Sequence, residues 1–337
     1  MSQYVLVRII RMDTVDIGLF EHDRNNTLYF YLMNADEQIY MRYGGRDSAA
    51  ADTYLSLASL EVALRQGLEQ HERFKKGELA KTERPKPASP RDYPLLVERT
   101  FARGQCVECH LIGDFQNLHR EKDKTLDKMT HLYRSPDLKT IGIHLDVPKG
   151  LVVKEAKDAV AAAGMKAGDR ITSVNGTAVL TFADLQHYYD KTDRRAAKTV
   201  PFTVEREGKT EALTVTLPPR WWWTDVRYRQ SSVEPRLYFD SRPLTEAEKK
   251  DRGMPVDGFA CEVTRLDSFG TMMKSHQLKV GDVIFGVDGV QKDEYAHTAD
   301  LYMKLKLTPG DIVKLDVLRD GQRMQSMLTS YRLSFRK

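Results

Sequence analysis

Cys106-Val107-Glu108-Cys109-His110 places two of the chain's three cysteines at a spacing suited to iron chemistry. Two thiols separated by two residues can take thioether bonds to a haem while the adjacent imidazole ligates its iron. On that reading Cys106, Cys109 and His110 hold a covalent haem c, with His110 as the proximal ligand of the haem iron. Met129 or His131 supplies the sixth ligand, and His119 lies on the same short segment. The pair has three other uses. It can be a reversible dithiol, with a helix dipole lowering a thiol pKa and His110 assisting. It can bind zinc through both thiols and a histidine, the lesser metal alternative. It can also be an inert structural pair. Cys261, in the apolar run Gly258-Phe259-Ala260-Cys261-Glu262-Val263, reads as a small buried hydrophobe. The triplet Trp221-Trp222-Trp223 reads as core rather than as a ligand platform.

These residues need domains to position them, and 337 residues allow two or three, each with its own core. The composition is that of a mixed globular surface: 41% hydrophobic, 30% charged, and a formal charge of +4 from 52 basic and 48 acidic residues. No basic, aromatic-interleaved patch stands out, so nucleic acid is not an expected partner. No run approaches the ~20 apolar residues of a membrane span. Met1 to Met12 reads as a strand rather than a signal peptide, so export, which haem attachment requires, implies a signal absent from this chain. The protein is then periplasmic or extracellular.

Tyr4 to Ile10 reads as a buried strand, Leu28 to Met33 as a second, and Gln38 to Tyr43 as a third, ended by Gly44-Gly45. Ser59 to His71 reads as a helix with Leu60, Ala63, Leu64 and Leu68 on one face and Ser59 as N-cap. This order resembles the C-terminal half of a thioredoxin fold, lacking the half that carries the redox cysteines. Its sheet should begin at Tyr4 and have an uncovered edge. Residues 75–94, with Pro85, Pro87, Pro90 and Pro94, read as an extended linker. Residues 95–134 form a small helical segment around the cysteines, so a haem there would take walls from neighbouring domains.

The remainder repeats itself. Gly164-Met165-Lys166-Ala167-Gly168-Asp169-Arg170-Ile171, then Val174-Asn175-Gly176, recurs as Gln277-Leu278-Lys279-Val280-Gly281-Asp282-Val283-Ile284, then Val287-Asp288-Gly289. Each copy leads to a helix, Thr181 to Asp190 and Thr298 to Leu305, and to a strand ending at a charged glycine turn. The motif resembles the PDZ domain in the form found in HtrA-type proteases. The resemblance implies strand addition of a peptide, with a carboxylate-binding loop at Thr140-Ile141-Gly142-Ile143. Ile141, Gly142 and Ile143 are thus the peptide-binding candidates, for a protein C-terminus or internal peptide at the first PDZ unit. Its groove should be open, and Gly142→Val should abolish binding while leaving the fold intact. The second copy has Arg236-Leu237-Tyr238-Phe239 without the glycine, so its groove should be narrower or filled.

The whole order, including the Asn34-Ala35-Asp36 turn and the Trp223 to Arg229 segment, resembles a bacterial thioredoxin-like/PDZ family with some selenoprotein members. Members of that family extend upstream of this Met1, which implies a truncated start. The fold class expected is α+β multidomain: a partial thioredoxin-like module (1–74), a linker (75–94), a helical Cys-x-x-Cys-His segment (95–134), PDZ-like domains (135–219 and 236–337) and a Trp-rich connector (220–235). Without a Gly-x-Ser-x-Gly motif, only the accessory domains of HtrA-like enzymes are resembled, and a protease is not expected. The function expected is an exported redox or electron-transfer protein, with haem c and PDZ units that dock a redox partner. The alternative is a non-enzymatic PDZ scaffold whose Cys106 and Cys109 form a disulfide or bind metal.

Overall fold

A computed structural model describes residues 3–225 and 231–332, and the chain divides into two compact units, Met1–Arg229 and Gln230–Lys337. In the first, β1 (Tyr29–Met33) and β2 (Ile39–Gly44) form an antiparallel hairpin, with Tyr29 opposite Gly44 and a bulge after Leu32. The Asn34 side chain closes its turn by accepting from the amides of Asp36 and Gln38, both at 3.0 Å. Helix α1 (Leu57–Lys75) packs Ala63 onto Leu32, Met41 and Tyr43. A Cβ on Gly67 would lie 2.6 Å from Leu32, so the glycine lets the helix approach the hairpin.

Two expectations fail here. The helix starts after Ser56, not Ser59, whose buried hydroxyl hydrogen-bonds Tyr43 at 2.9 Å instead. Tyr4 to Ile10 is not a strand, and the sheet does not begin there: Val5 is 91% and Ile10 79% exposed. Among the described residues no strand lies beside this segment to complete a ladder, and only Tyr4 docks, donating to the Leu64 carbonyl at 2.6 Å.

Residues 76–89 carry no helix or strand, yet they are pinned. The Gln38 amide pairs with Thr82 through two 2.8 Å bonds, and Arg84 pairs with Glu37 and Asp16. Then come α2 (Pro94–Arg99), α3 (Cys109–Lys122) and the single turn α4 (Lys128–His131). Leu96, Val107, Ile112 and Phe115 close a small core with Ile17.

The first repeat follows: β3 (Ile143–Leu145), β4 (Val153–Ala156), α5 (Asp158–Ala162), β5 (Arg170–Val174), β6 (Thr177–Ala178), α6 (Phe182–Tyr189), β7 (Thr199–Arg206) and β8 (Lys209–Thr216). β3 and β4 pair as a two-stranded sheet, and the others run β6-β5-β7-β8. Alternate residues of β7, Val200, Phe202 and Val204, are fully buried, as the period of two demands.

The second unit contains β9 (Phe239–Pro243), α7 (Glu246–Asp251), β10 (Cys261–Leu266), α8 (Ser268–Met272), β11 (Val283–Val287), α9 (Ala299–Lys306), β12 (Ile312–Arg319) and β13 (Gln322–Thr329). Its strands form one sheet in the order β13-β12-β11-β10-β9. Thr181 and Thr298 cap α6 and α9 by accepting from Asp184 and Leu301 amides. The repeated Gly-Asp does more than turn the chain. Asp169 accepts from the Lys166 amide and both arms of Arg206, and Asp282 does the same with Lys279 and Arg319. Both aspartates are 1% exposed, so bidentate pairing satisfies charges that burial would otherwise penalise.

Trp221 and Trp222 are core, edge-on to Tyr189 and Tyr133. The rest of the Trp223 to Arg229 motif, from 226 onward, lies outside the described residues.

Candidate functional site

The cysteine motif does not assemble a haem site. Cys106 is exposed, and Cys109 begins α3 with its thiol half-buried; both are free. Between them Val107 turns inward and fills the small core with Ile112, both nearly fully buried, so the inner side of the turn holds side chains where a macrocycle would need space. His110 is exposed, with Nε2 3.4 Å from the Glu108 carboxylate. Met129 is packed in the interior. His131 accepts the Asp127 amide at 3.0 Å, and burial, then Arg120, press its pKa down to about 4. His119 pairs with Asp123 at 3.1 Å. Among the described residues no three His, Cys, Asp or Glu side chains gather as a metal site. The residues present therefore do not fit the group the spacing suggested. Cys261 is fully buried, and burial drives its thiol up to about 12.

The peptide-loop candidates do come together. Ile141 and Ile143 are buried and anchor a loop in which Gly142 takes φ +93°. A Cβ there would sit 2.1 Å from the Lys157 carbonyl oxygen, so only glycine fits. The expectation that Gly142→Val spares the fold is corrected on this ground. The Gly142 amide is spent on the Leu138 and Lys139 carbonyls, and its carbonyl accepts from Lys157 at 3.0 Å. That bond sets the alternation of the β3–β4 ladder and turns the Ile143 and Leu145 amides toward the edge of β3 that carries no strand among the described residues.

That edge does not face an open groove. Leu145, Val147 and Gly150 line a cavity of about 20 Å³ together with Leu180, Thr181 and Phe182, and its other wall is Tyr43, Tyr54, Val62, Ala63 and Gln66. Tyr54 stacks on Phe182 with centroids 3.4 Å apart and planes 8° off parallel. The Thr181 hydroxyl donates to the Arg42 carbonyl, and the Arg42 amide donates to Asp184 at 3.0 Å. Burial pushes the Asp184 carboxyl up to about 6, against the pull of the Arg42 guanidinium 3.7 Å away. Lys139, just before the loop, pairs with buried Asp47 at 2.5 Å. Burial opposes the Asp47 charge, but Lys139, two backbone amides and Thr53 hold its pKa down at about 2. The sequence reading missed Arg42, Tyr54, Phe182 and Asp184. Gly44-Gly45 was the signal: a Cβ on Gly45 would lie 2.5 Å from the Phe182 ring, so the pair marks a close approach as well as a strand end.

The second unit builds the same loop without the glycine. Tyr238 occupies the position of Gly142 with φ +60°, and its carbonyl accepts from Asp267 at 3.0 Å as that of Gly142 does from Lys157. Its side chain fits because α8 carries Gly270 where α5 carries Val160; a Cβ on Gly270 would lie 2.2 Å from that of Tyr238. The glycine has moved from loop to helix. Edge strand β9 has no strand on its outer side among the described residues.

Residues 130–217 match the PDZ domain family model, so the chain contains a PDZ domain. The chain is 29% identical over 194 residues to the periplasmic pH-dependent serine endoprotease DegQ of Escherichia coli, covering 55% of this chain and 37% of DegQ. Among solved structures it is similar to the HtrA-type protease AlgW with decapeptide (14% identity, TM-score 0.25, 41% of this chain and 43% of that one). The serine endoprotease from Yersinia pestis is also similar (17% identity, TM-score 0.21, 31% of each). The chain thus spans little more than a third of its curated relative. The relationship to DegQ overturns the haem-borne redox reading and the expectation of a non-enzymatic scaffold alike. What the sequence resembles is an HtrA-type PDZ protein of the serine endoprotease kind.

Proposed function

We propose that this chain takes part in HtrA-type proteolysis in the periplasm by capturing extended peptides on its PDZ units. One observation carries the reading. The Gly142 loop, inside the segment matching the PDZ model, adjoins a β3 edge whose Ile143 and Leu145 amides have no strand partner among the described residues. Such an edge accepts a peptide as an added strand, with main-chain hydrogen bonds supplying affinity and side-chain pockets specificity. The similarity to DegQ, periplasmic by its name, supports the compartment and the proteolytic context. AlgW was solved with a decapeptide and with a tripeptide, which supports the ligand class. The hairpin and helix of residues 29–75 keep the strand-strand-helix order of a thioredoxin's C-terminal half, and we read them as a thioredoxin-like remnant.

The test uses fluorescein-labelled decapeptides ending in Val, Leu or Phe, each with a free or an amidated C-terminus, read by anisotropy. A parallel assay follows cleavage of unfolded casein. Binding of the free-carboxylate peptides with loss on amidation, together with peptide-dependent cleavage, is expected. Binding by neither form and inert casein would refute the reading.

A further inference from the structure

We propose that the module built from β2, the Asp47–Tyr54 loop and α1 is an autoinhibitory latch, closed over the peptide edge of the first PDZ unit. The inference rests on the peptide-capture reading and adds its regulation. A peptide added to β3 needs both the free edge and room beside it for alternate side chains. Here the room is taken. Leu145 of β3 and Phe182 of α6 face one cavity, and the opposite wall is Tyr43, Tyr54, Val62 and Ala63. What remains, about 20 Å³, suits one water molecule and no apolar side chain.

The contact is built at three points, two at the start of α6 and one just ahead of the Gly142 loop. Tyr54 stacks on Phe182. The backbone of Arg42 is held at both its amide and its carbonyl by Asp184 and Thr181 at the start of α6. Asp47 receives Lys139 directly ahead of the Gly142 loop. An extended strand, β2, therefore gives main-chain hydrogen bonds to the first PDZ unit, as an incoming peptide does, but at the helix start rather than at β3. The fit is also incomplete: the buried Gln66 Oε1 at the cavity wall accepts no hydrogen bond from the described residues. With no donor among these residues to meet it, this acceptor adds nothing to the stability of the closed state. A closed latch reduces apparent peptide affinity by the fraction of molecules that are open.

The test compares the full chain with the variant Tyr54→Ala/Lys139→Met, using the free-carboxylate decapeptides and reading both affinity and hydrogen-exchange protection at residues 143–145. Hydrogen exchange without peptide reports opening, as faster exchange over 39–75 with β5, β7 and β8 unchanged. Expected is at least tenfold tighter binding by the variant, with new protection at Ile143 and Leu145. Equal affinity and equal protection in both proteins overturns the latch and leaves peptide capture standing. Absence of protection at 143–145 in both overturns peptide capture at this unit and the latch with it. Should the double variant unfold, Lys139→Met alone is expected to tighten binding severalfold, because its aliphatic stem is kept while the Asp47 pair is lost; unchanged affinity there overturns the latch.

Discussion

Gly270→Ala tests the relocated glycine of the second unit. Within a helix, replacing glycine by alanine ordinarily stabilises by about 0.5–1 kcal/mol. Here the added Cβ would meet Tyr238 Cβ at 2.2 Å and Cγ at 2.9 Å, with Ser275 Oγ at 3.0 Å. Forcing a group into a packed site costs roughly 1–3 kcal/mol, so the net expectation is a loss of about 1–2 kcal/mol. Tyr238→Gly alone should be close to neutral. It relieves a left-handed backbone that costs a side chain about 1–2 kcal/mol. It also forfeits ring contacts with Phe269 and Tyr331 at 5.4 and 5.6 Å. Those contacts are worth ~0.5–1.5 kcal/mol each. In Gly270→Ala/Tyr238→Gly the clash vanishes and the helix gain remains, giving a coupling of about 2 kcal/mol between the sites. Urea unfolding of the full chain, with exchange at β10–β12 amides to isolate this unit, measures the cycle. Additivity within ~0.5 kcal/mol, or a stabilising Gly270→Ala, would refute the exchange of glycine between loop and helix.

Other outcomes follow from the same geometry. Gly142→Ala should destabilise the first unit by about 2–4 kcal/mol, since left-handed strain and a steric clash with the Lys157 carbonyl add, whereas Gly168→Ala, with open space around it, carries only the strain; thermal unfolding compares them. Burial holds His22 and His187 neutral down to about pH 3 and His131 to about pH 4, while in the unfolded chain each binds its proton near 6.5. The first unit should therefore lose stability as pH falls below about 6.5, by up to ~1.4 kcal/mol per pH unit for deeply buried His22 and by less for His187 and half-exposed His131. Asp184, which takes up its proton near 6 in the folded chain, offsets part of the loss as pH falls from about 6 to about 4, and His22→Phe should flatten the slope seen in urea midpoints. Iodoacetamide should label exposed Cys106 first, half-buried Cys109 later, and Cys261 only on unfolding, as mass spectrometry of timed samples would show.

The parts legible in the sequence were those governed by local periodicity and tight turns. The two Gly-Asp turns, the helices after Thr181 and Thr298, and the buried alternation of β7 and β12 all stand where their residue types put them. What stayed hidden depends on partners far along the chain. Nothing near Arg42 announces Asp184, 142 residues away, and nothing near Asp169 announces Arg206. Val5 to Ile10 has the composition of a strand, but a strand needs a neighbour, and composition does not supply one. The Cys-x-x-Cys-His spacing describes the thiols and the imidazole. It is silent on Val107, whose burial fills the turn.

The loops ahead of β3 and β9 reach the same backbone with interchanged parts, and that has a bearing on how a chain carrying two such repeats folds. Tandem copies can fold across one another, each borrowing an element from its neighbour, a characteristic failure of repeat proteins. The segment bearing Tyr238, entering the first unit's slot, would drive a Cβ into the Lys157 carbonyl. The Gly142 segment, placed against α8, would leave unfilled the space that Tyr238 takes above Gly270. Each slot thus rejects the other's strand, one by collision and the other by vacancy. A misassembled nascent chain is penalised whichever way the exchange runs, and so would be a gene product in which recombination had spliced one loop beside the other's helix.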